Sequence, residues 1–136
     1  MLDEVDKHGR IIAATGRYHY VVLAKTGSGK SPVAGFLDRL RKEEPRVFAL
    51  FVRAFNTVCD FPKPECYGFQ WLKHERGDLY AFRDVKSQYR ISCYVDGRSI
   101  VLLDGFKKRK KKWREDDFRR AEAMMAEDRS RKRSLK

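Results

Sequence analysis

The sequence has few of the residues that mark a secreted, metal-binding or membrane-spanning protein. Its three cysteines are an odd number, and no two of them have CxxC spacing, so we expect Cys59, Cys66 and Cys93 to be reduced thiols. No run of about 18 apolar residues occurs, which excludes a membrane-spanning helix. The acidic start at residues 1–4 is unlike a secretory signal. These absences predict a soluble cytoplasmic protein that uses no metal and no other cofactor.

Positive charge is abundant and is concentrated near the C-terminal end. The 136 residues include 31 Lys or Arg and 19 Asp or Glu, a formal net charge of +12. Residues 105–136 contain 14 of the basic and 6 of the acidic residues, a net charge of +8, which leaves +4 for residues 1–104. A concentrated cationic segment attracts a polyanion by releasing condensed counterions. Nucleic acid is therefore the expected partner, in preference to a membrane surface.

Length and patterning predict one α+β domain at residues 17–129. A flexible segment or a short strand is expected at 1–16, and a disordered basic tail at 130–136. The predicted elements, in order, are a strand at 17–24, a helix from Ser31-Pro32 to about Glu44, a helix after Pro45, strands at 78–85, 88–95 and 99–104, and a helix from about Arg114 to Arg129. The three later strands form an antiparallel meander, because two-residue turns such as Asp96-Gly97 separate them. The fold prediction is a small antiparallel sheet packed with two N-terminal helices and a C-terminal helix.

Residues 21–31 resemble a P-loop, the glycine-rich turn between a strand and a helix that binds nucleotide phosphates. The segment ends in Gly-Lys-Ser, and the strand at 100–104 resembles the magnesium-binding strand of such enzymes. However, Ala24 replaces the first glycine that the turn requires, and two helices followed by an antiparallel run do not give a parallel sheet. We therefore interpret the segment as an ordinary strand–loop–helix connection, with nucleotide binding as the less favoured alternative.

Two arginines lie inside the predicted meander strands. An arginine in a strand must be exposed or paired. Asp78, Asp84 and Asp96 are close enough in sequence to Arg83 and Arg90 to pair with them in a purely structural role. The sequence pattern alone does not decide between this role and a functional one.

The functional interpretation depends on the basic residues that follow the last strand. Residues 107–112 are all Lys or Arg, and this block can fold back beside the sheet and line one concave cationic surface with the two strand arginines. Cleavage of RNA without a metal uses the ribose 2′-hydroxyl as nucleophile and needs cations near the scissile phosphate. An aromatic side chain that stacks on an unpaired base also helps. Tyr80, Tyr94 and Trp113 are candidates for stacking, although for each of them taken singly the pattern favours plain core or hairpin packing.

Four segments together resemble the RelE/ParE superfamily of type II toxin–antitoxin toxins, most closely its phage-derived HigB-like branch. They are residues 29–40, similar to G-K-S-P-V…F-L-x-x-L; residues 79–83, similar to L-Y-E-L-R; residues 89–91, similar to Y-R-I/V; and residues 100–109, similar to V-x-L-L-H-G-F-x-K-K. The resemblance covers about residues 18–125. It implies an antiparallel sheet beside two N-terminal helices, with a basic surface.

The resemblance also implies an activity. Members of the superfamily cleave messenger RNA, usually on the ribosome, and are neutralised by a cognate antitoxin, expected here to be of the helix-turn-helix type. Arg83, Arg90 and Lys108 would be the catalytic cations that bind or stabilise the scissile phosphate. The residues expected to bind RNA are Lys73, Tyr80, Lys107, Arg109, Lys110, Lys112 and Trp113.

The sequence does not single out a general base. His74, Tyr80, Tyr94 and Asp104 are all candidates, and Asp104 stands where the family has a histidine. The alternative function is a non-enzymatic member of the same superfamily that binds nucleic acid or DNA gyrase. A basic ribosome-associated protein without catalytic activity is a third possibility.

Overall fold

The computed structural model describes residues 4–84, 86–108 and 113–134, with side chains as far as residue 131. Its elements are β1 (Ile11–Thr15), β2 (Tyr20–Leu23), α1 (Pro32–Glu43), α2 (Pro45–Val58), a short 3-10 helix (Pro64–Cys66), β3 (Leu72–Arg76), β4 (Leu79–Arg83), β5 (Tyr89–Asp96), β6 (Ser99–Lys107) and α3 (Glu115–Ser134). Within the described residues the strands form one sheet in the order β1-β2-β6-β5-β4-β3. Its pairs are antiparallel except β2 with β6. The α+β prediction, with its β4–β5–β6 meander, is confirmed.

Helices cover both faces of the sheet, because side chains alternate between the faces along each strand. On one face α1 and α2 bury an apolar cluster that includes Phe51, Phe82 and Ile91. On the other face α3 packs with Trp113 against a smaller cluster that includes Ala81 and Leu103. We call these the α1/α2 face and the α3 face.

Local chemistry explains where α1 begins and how closely it packs. The Ser31 side chain accepts a hydrogen bond of 3.2 Å from the Ala34 amide, and Pro32 occupies the first turn, as an N-cap requires. The helix lies directly on β6 because Gly105 has no side chain there; a Cβ atom at this position would be 2.1 Å from Cδ2 of Phe36. The segment resembling a P-loop thus connects β2 to α1 in a mostly antiparallel sheet.

A buried ionic network anchors α3 to the N-terminal segment. The Arg10 guanidinium lies 2.6 Å from the Asp128 carboxylate and 2.8 Å from that of Asp96, and Tyr94 also donates to Asp128. Arg10 is 2% exposed and Asp128 4% exposed. Since a buried charge is tolerated only when it is paired, the network fixes how α3 crosses the sheet.

The C-terminal helix is longer than we expected. It continues to Ser134, whereas the sequence suggested an end near Arg129 and a disordered tail from Ser130. The Arg131 guanidinium donates to the carbonyls of Lys25 and Thr26, and this contact with the β2–α1 loop holds the last turns in place. Among the described residues, no helix has the length and apolar character that crossing a bilayer requires.

Candidate active site

The two strand arginines lie side by side at one end of the sheet. Arg83 of β4 is the direct cross-strand partner of Arg90 of β5, and directly opposed residues in an antiparallel pair share a face. Their neighbours Ala81 and Ser92 are partners on the same face. The side chains of Arg83 and Arg90 therefore leave the sheet on the α3 face, where the carboxyl end of β4 meets the amino end of β5.

Arg90 is held in place by backbone carbonyls. It is 6% exposed, and its Nη1 donates to the carbonyl oxygens of Tyr89, Ser87 and Asp84 at 2.8, 3.1 and 3.3 Å. Burial lowers its pKa, and the charge of Arg83 lowers it further. Arg90 thus closes the turn between β4 and β5 and also places a positive charge beneath the surface.

Arg83 is more accessible and is fixed by the segment that precedes β3. Its Nε donates to the Gln70 carbonyl, and its amide donates to the Trp71 carbonyl at 2.9 Å. Its side chain is partly exposed. The geometry leaves the guanidinium oriented but open to a ligand, unlike that of Arg90.

A bulge in edge strand β3 adds an acidic group to this region. Lys73 pairs with Ala81 on the α3 face, and the register shifts between His74 and Arg76. A bulge sets two consecutive residues against one partner, so Glu75 lies beside the cations although Arg76 takes the next ladder position. The edge strand therefore contributes both a cation and a carboxylate to the α3 face.

The fifth member of the group comes from the end of β6. The Lys108 amide donates to the Gln88 carbonyl at 2.6 Å, which extends the pairing of β6 with β5 beyond the last strand residue. The pKa of Lys108 is lowered by burial first, and then by Arg90, Lys73 and Arg83, against the attraction of Glu75. The strand register and the Lys108–Gln88 bond bring five charged residues to the same end of the sheet, and we call them the charged cluster: Lys73, Glu75, Arg83, Arg90 and Lys108.

Glu75 has an unusual environment for a carboxylate. Burial raises its pKa, and this effect outweighs the lowering by Lys73, Lys108, Arg90 and Arg83. A carboxyl group with a raised pKa, adjacent to cations that can bind a phosphate, has the properties of a general base or acid. Glu75 is not among the site residues that the sequence predicts.

Three residues predicted to bind RNA lie away from the charged cluster. The Tyr80 side chain packs on the α1/α2 face, against the cluster of Phe82 and Ile91. The Lys107 ammonium lies 5.3 Å from the centroid of the Tyr89 ring, which also packs on that face. Trp113 is 8% exposed and stacks on Phe118 with centroids 4.7 Å apart. The expectation that Trp113 stacks on a base is wrong, because its ring is part of the core under α3.

The remaining predicted residues fall outside the described part of the chain. Arg109, Lys110 and Lys112 belong to residues 109–112, for which the structure gives no placement. Because they lie outside the described residues, their expected role in RNA binding stays a prediction.

Three of the general bases that the sequence suggests already have hydrogen-bond partners within the protein: His74, Tyr94 and Asp104. His74 Nε2 lies 2.7 Å from the Gly77 carbonyl oxygen, and its ring contacts Tyr80. Tyr94 is 1% exposed and donates to Asp128. The Asp104 carboxylate accepts from Arg120 at 3.1 Å. The pKa of Tyr94 is raised, by burial first and then by its bond to Asp128, which further disfavours it as a base.

The model of a known protein family matches most of the chain. Residues 36–126 match the model of the family described as Phage derived protein Gp49-like (DUF891). The chain belongs to this family. The family is part of the RelE group of toxin–antitoxin toxins, which supports a toxin role and implies a cognate antitoxin as partner. No curated protein matches the chain.

The charged cluster lies within the residues that match the family model. All five cluster residues lie between positions 36 and 126, as do β3 to β6 and most of α3. The segment that resembles a P-loop lies before the matched residues. The part of the chain that defines the Gp49-like family is therefore the part that brings the charged groups together.

Proposed function

We propose that this Gp49-like protein is an endoribonuclease toxin that cleaves messenger RNA on the ribosome, and that the charged cluster is its active site. The observation that carries the proposal is the strand register, which sets Arg83 opposite Arg90 and brings Lys73, Glu75 and Lys108 to the same end of the sheet. A site that binds a sugar–phosphate backbone needs the cations, and a site that activates a hydroxyl needs the base.

The reaction follows from the groups present. Glu75 accepts the proton of a ribose 2′-hydroxyl, and the 2′-oxygen attacks the adjacent phosphorus. The bond from phosphorus to the 5′-oxygen breaks, and that oxygen takes a proton from Lys108, whose lowered pKa makes it a better acid than an ordinary lysine. The products are a 2′,3′-cyclic phosphate and a 5′-hydroxyl end.

The other cations stabilise the charge that develops on the phosphate. Arg83 is accessible and oriented, so it can contact a non-bridging oxygen directly. Lys73 is exposed on the edge strand and can bind the neighbouring phosphate. Arg90 is buried and bound to carbonyls, so it acts through its charge and by positioning the β4–β5 turn.

The experiment is expression in bacteria together with cleavage mapping of a defined message, with and without ribosomes. Wild-type protein should arrest growth and should cleave only translated messages. Arg83→Ala and Lys108→Ala should each reduce cleavage strongly, since removing one group that stabilises the transition-state charge costs on the order of 10²–10³-fold in rate. Arg39→Ala, which removes an exposed arginine on α1, is the matched control and should cleave like the wild type.

Two results would contradict the proposal. Cleavage that survives Arg83→Ala and Lys108→Ala would place the active site elsewhere. Growth arrest without RNA cleavage, accompanied by inhibition in a gyrase supercoiling assay, would instead support the non-enzymatic alternative. Arg90→Ala is not a suitable first test, because the loss of its three carbonyl contacts would disturb the turn as well as the charge.

A further inference from the structure

A pocket opens beside Arg83, between α2 and the segment that leads into β3. Its volume is about 560 Å³, within the range of pockets that enclose small ligands. Apolar side chains of α2 form one wall, among them Leu50, Phe51 and Ala54. Arg83 lines this pocket and also belongs to the charged cluster, so the pocket and the cluster adjoin at this residue.

Aromatic rings form the opposite wall. Phe69 and Trp71 both line the pocket, and their rings stack with centroids 4.4 Å apart and planes inclined by 14°. The Trp71 ring is also nearly parallel to that of buried Phe82, at 6°. Each ring is therefore held rigidly by its neighbours, and an aromatic ligand can contact this wall without the side chains losing further freedom.

The rim of the pocket is positively charged. Arg46 and Arg53 of α2 and Lys86 of the β4–β5 turn are exposed residues that line it together with Arg83. Exposed cations around an aromatic wall are the combination that binds single-stranded nucleic acid, since the cations bind phosphates and the rings bind bases.

One buried acceptor also belongs to the pocket. Asp84 is 8% exposed and lines the cavity. Its Oδ1 accepts from the Lys86 amide at 3.2 Å, whereas Oδ2 has no hydrogen-bond partner among the described residues. A buried carboxylate oxygen without a donor is costly, and a nucleobase supplies such a donor through its exocyclic amino or ring N–H groups.

We propose that this pocket binds one unpaired nucleobase of an RNA strand whose backbone crosses the charged cluster. The base lies against the wall of Phe69 and Trp71 and donates an N–H group to Oδ2 of Asp84, while the rim cations bind the flanking phosphates. The proposal rests on the proposed function in that it uses the same strand of RNA. It assigns recognition of the substrate to a different set of residues.

The test uses Trp71 as its own reporter. The chain has two tryptophans, so Trp113→Phe leaves Trp71 alone, and Trp71→Phe leaves only buried Trp113. Each variant is titrated with a short single-stranded RNA carrying 2′-O-methyl groups, which cannot be cleaved through the 2′-hydroxyl. We expect quenching of fluorescence in the Trp71-only protein and none in the Trp113-only protein. An oligonucleotide with the same phosphates but without bases should bind without quenching.

Variants of the pocket provide the second measurement. Asp84→Asn keeps Oδ1 and replaces Oδ2 by a donor, so affinity for the RNA should fall by roughly tenfold or more, since a hydrogen bond to a charged group is lost. Trp71→Leu should weaken binding by roughly 5- to 150-fold, the effect of removing one base–aromatic contact. Arg53→Gln should weaken binding, and Arg39→Gln on α1 should not; both residues are exposed, so neither change threatens folding.

The outcomes separate this inference from the proposed function. RNA that binds without quenching Trp71, or with unchanged affinity for the Asp84→Asn protein, would overturn the base pocket even if cleavage is observed. Quenching by RNA but not by the oligonucleotide without bases, in a protein that cleaves nothing, would support the pocket and reject the nuclease.

Discussion

Replacing Glu75 by glutamine tests the chemistry of the charged cluster with a change of few atoms. If Glu75 takes the proton from the 2′-hydroxyl, glutamine cannot replace it, and cleavage should slow by about 10²–10⁴-fold, the usual contribution of a general base. Binding should respond in the opposite direction. The change removes the one acidic member of the cluster, so affinity for RNA should stay the same or increase.

The folding stability of the Glu75→Gln protein is the third property to measure, after its cleavage rate and its affinity for RNA. Burial raises the pKa of Glu75 in the folded chain, so the folded state binds this proton more tightly than the unfolded state does. The stability from that proton is present below the unfolded pKa and is lost as the pH rises through the folded pKa. At neutral pH the ionised carboxylate therefore costs stability, and the Glu75→Gln protein should be at least as stable as the wild type.

The assay combines single-turnover cleavage across pH with RNA binding and urea unfolding. The wild-type cleavage rate should fall as the pH falls through the raised pKa of Glu75. The residual cleavage rate of the Glu75→Gln protein should not show this fall. A variant that loses activity because RNA binds more weakly, or because the domain unfolds, would show that Glu75 has a structural role. Unchanged cleavage would refute its role as the base.

Three further predictions concern stability and affinity. Asp128→Ala leaves a buried guanidinium without its closest partner, at 2.6 Å, and should lower the free energy of unfolding by about 3–5 kcal/mol in urea denaturation; a loss below 1 kcal/mol would mean that the network is unimportant. Gly105→Ala would place a Cβ atom 2.1 Å from the ring of Phe36 and should cost about 1–3 kcal/mol, whereas Gly35→Ala on α1 meets nothing within 4 Å and should stabilise by roughly 0.4–1 kcal/mol. Thermal melts of the two glycine variants that shift in the same direction would contradict this packing. Lys108→Ala should reduce the dependence of log affinity on log salt by about one, and an unchanged slope would mean that Lys108 binds no phosphate.

Much of the fold could be predicted because local signals and the global fold agree. Ser31-Pro32 gives the start of α1, and the Asp96-Gly97 turn connects β5 to β6 with Gly97 at a φ of +59°. The extent of α3 could not be predicted, since its last turns depend on contacts between Arg131 and carbonyls more than 100 positions earlier in the chain. The place of β2 beside β6 is likewise a long-range pairing that no local pattern reveals.

Part of the geometry of the candidate site could be predicted from the sequence. Alternation and the meander correctly place Arg83 beside Arg90. Glu75 could not be predicted because the sequence pattern gave no strand that contains it, and only the pairing of β3 with β4 brings it near the cations. Trp113 was misassigned because an aromatic residue in a basic segment has the same appearance whether it binds a base or fills the core beneath a helix.

The most direct measurement of the central claim is the chemistry of the RNA ends after cleavage by the wild-type protein in a translating extract. Attack by the 2′-hydroxyl at the charged cluster predicts a 2′,3′-cyclic phosphate on the upstream fragment and a 5′-hydroxyl on the downstream one, both formed about 10²–10⁴-fold more slowly by the Glu75→Gln protein. Fragments with a 3′-hydroxyl and a 5′-phosphate, or the same fragments formed by the Glu75→Gln protein at the wild-type rate, would contradict it.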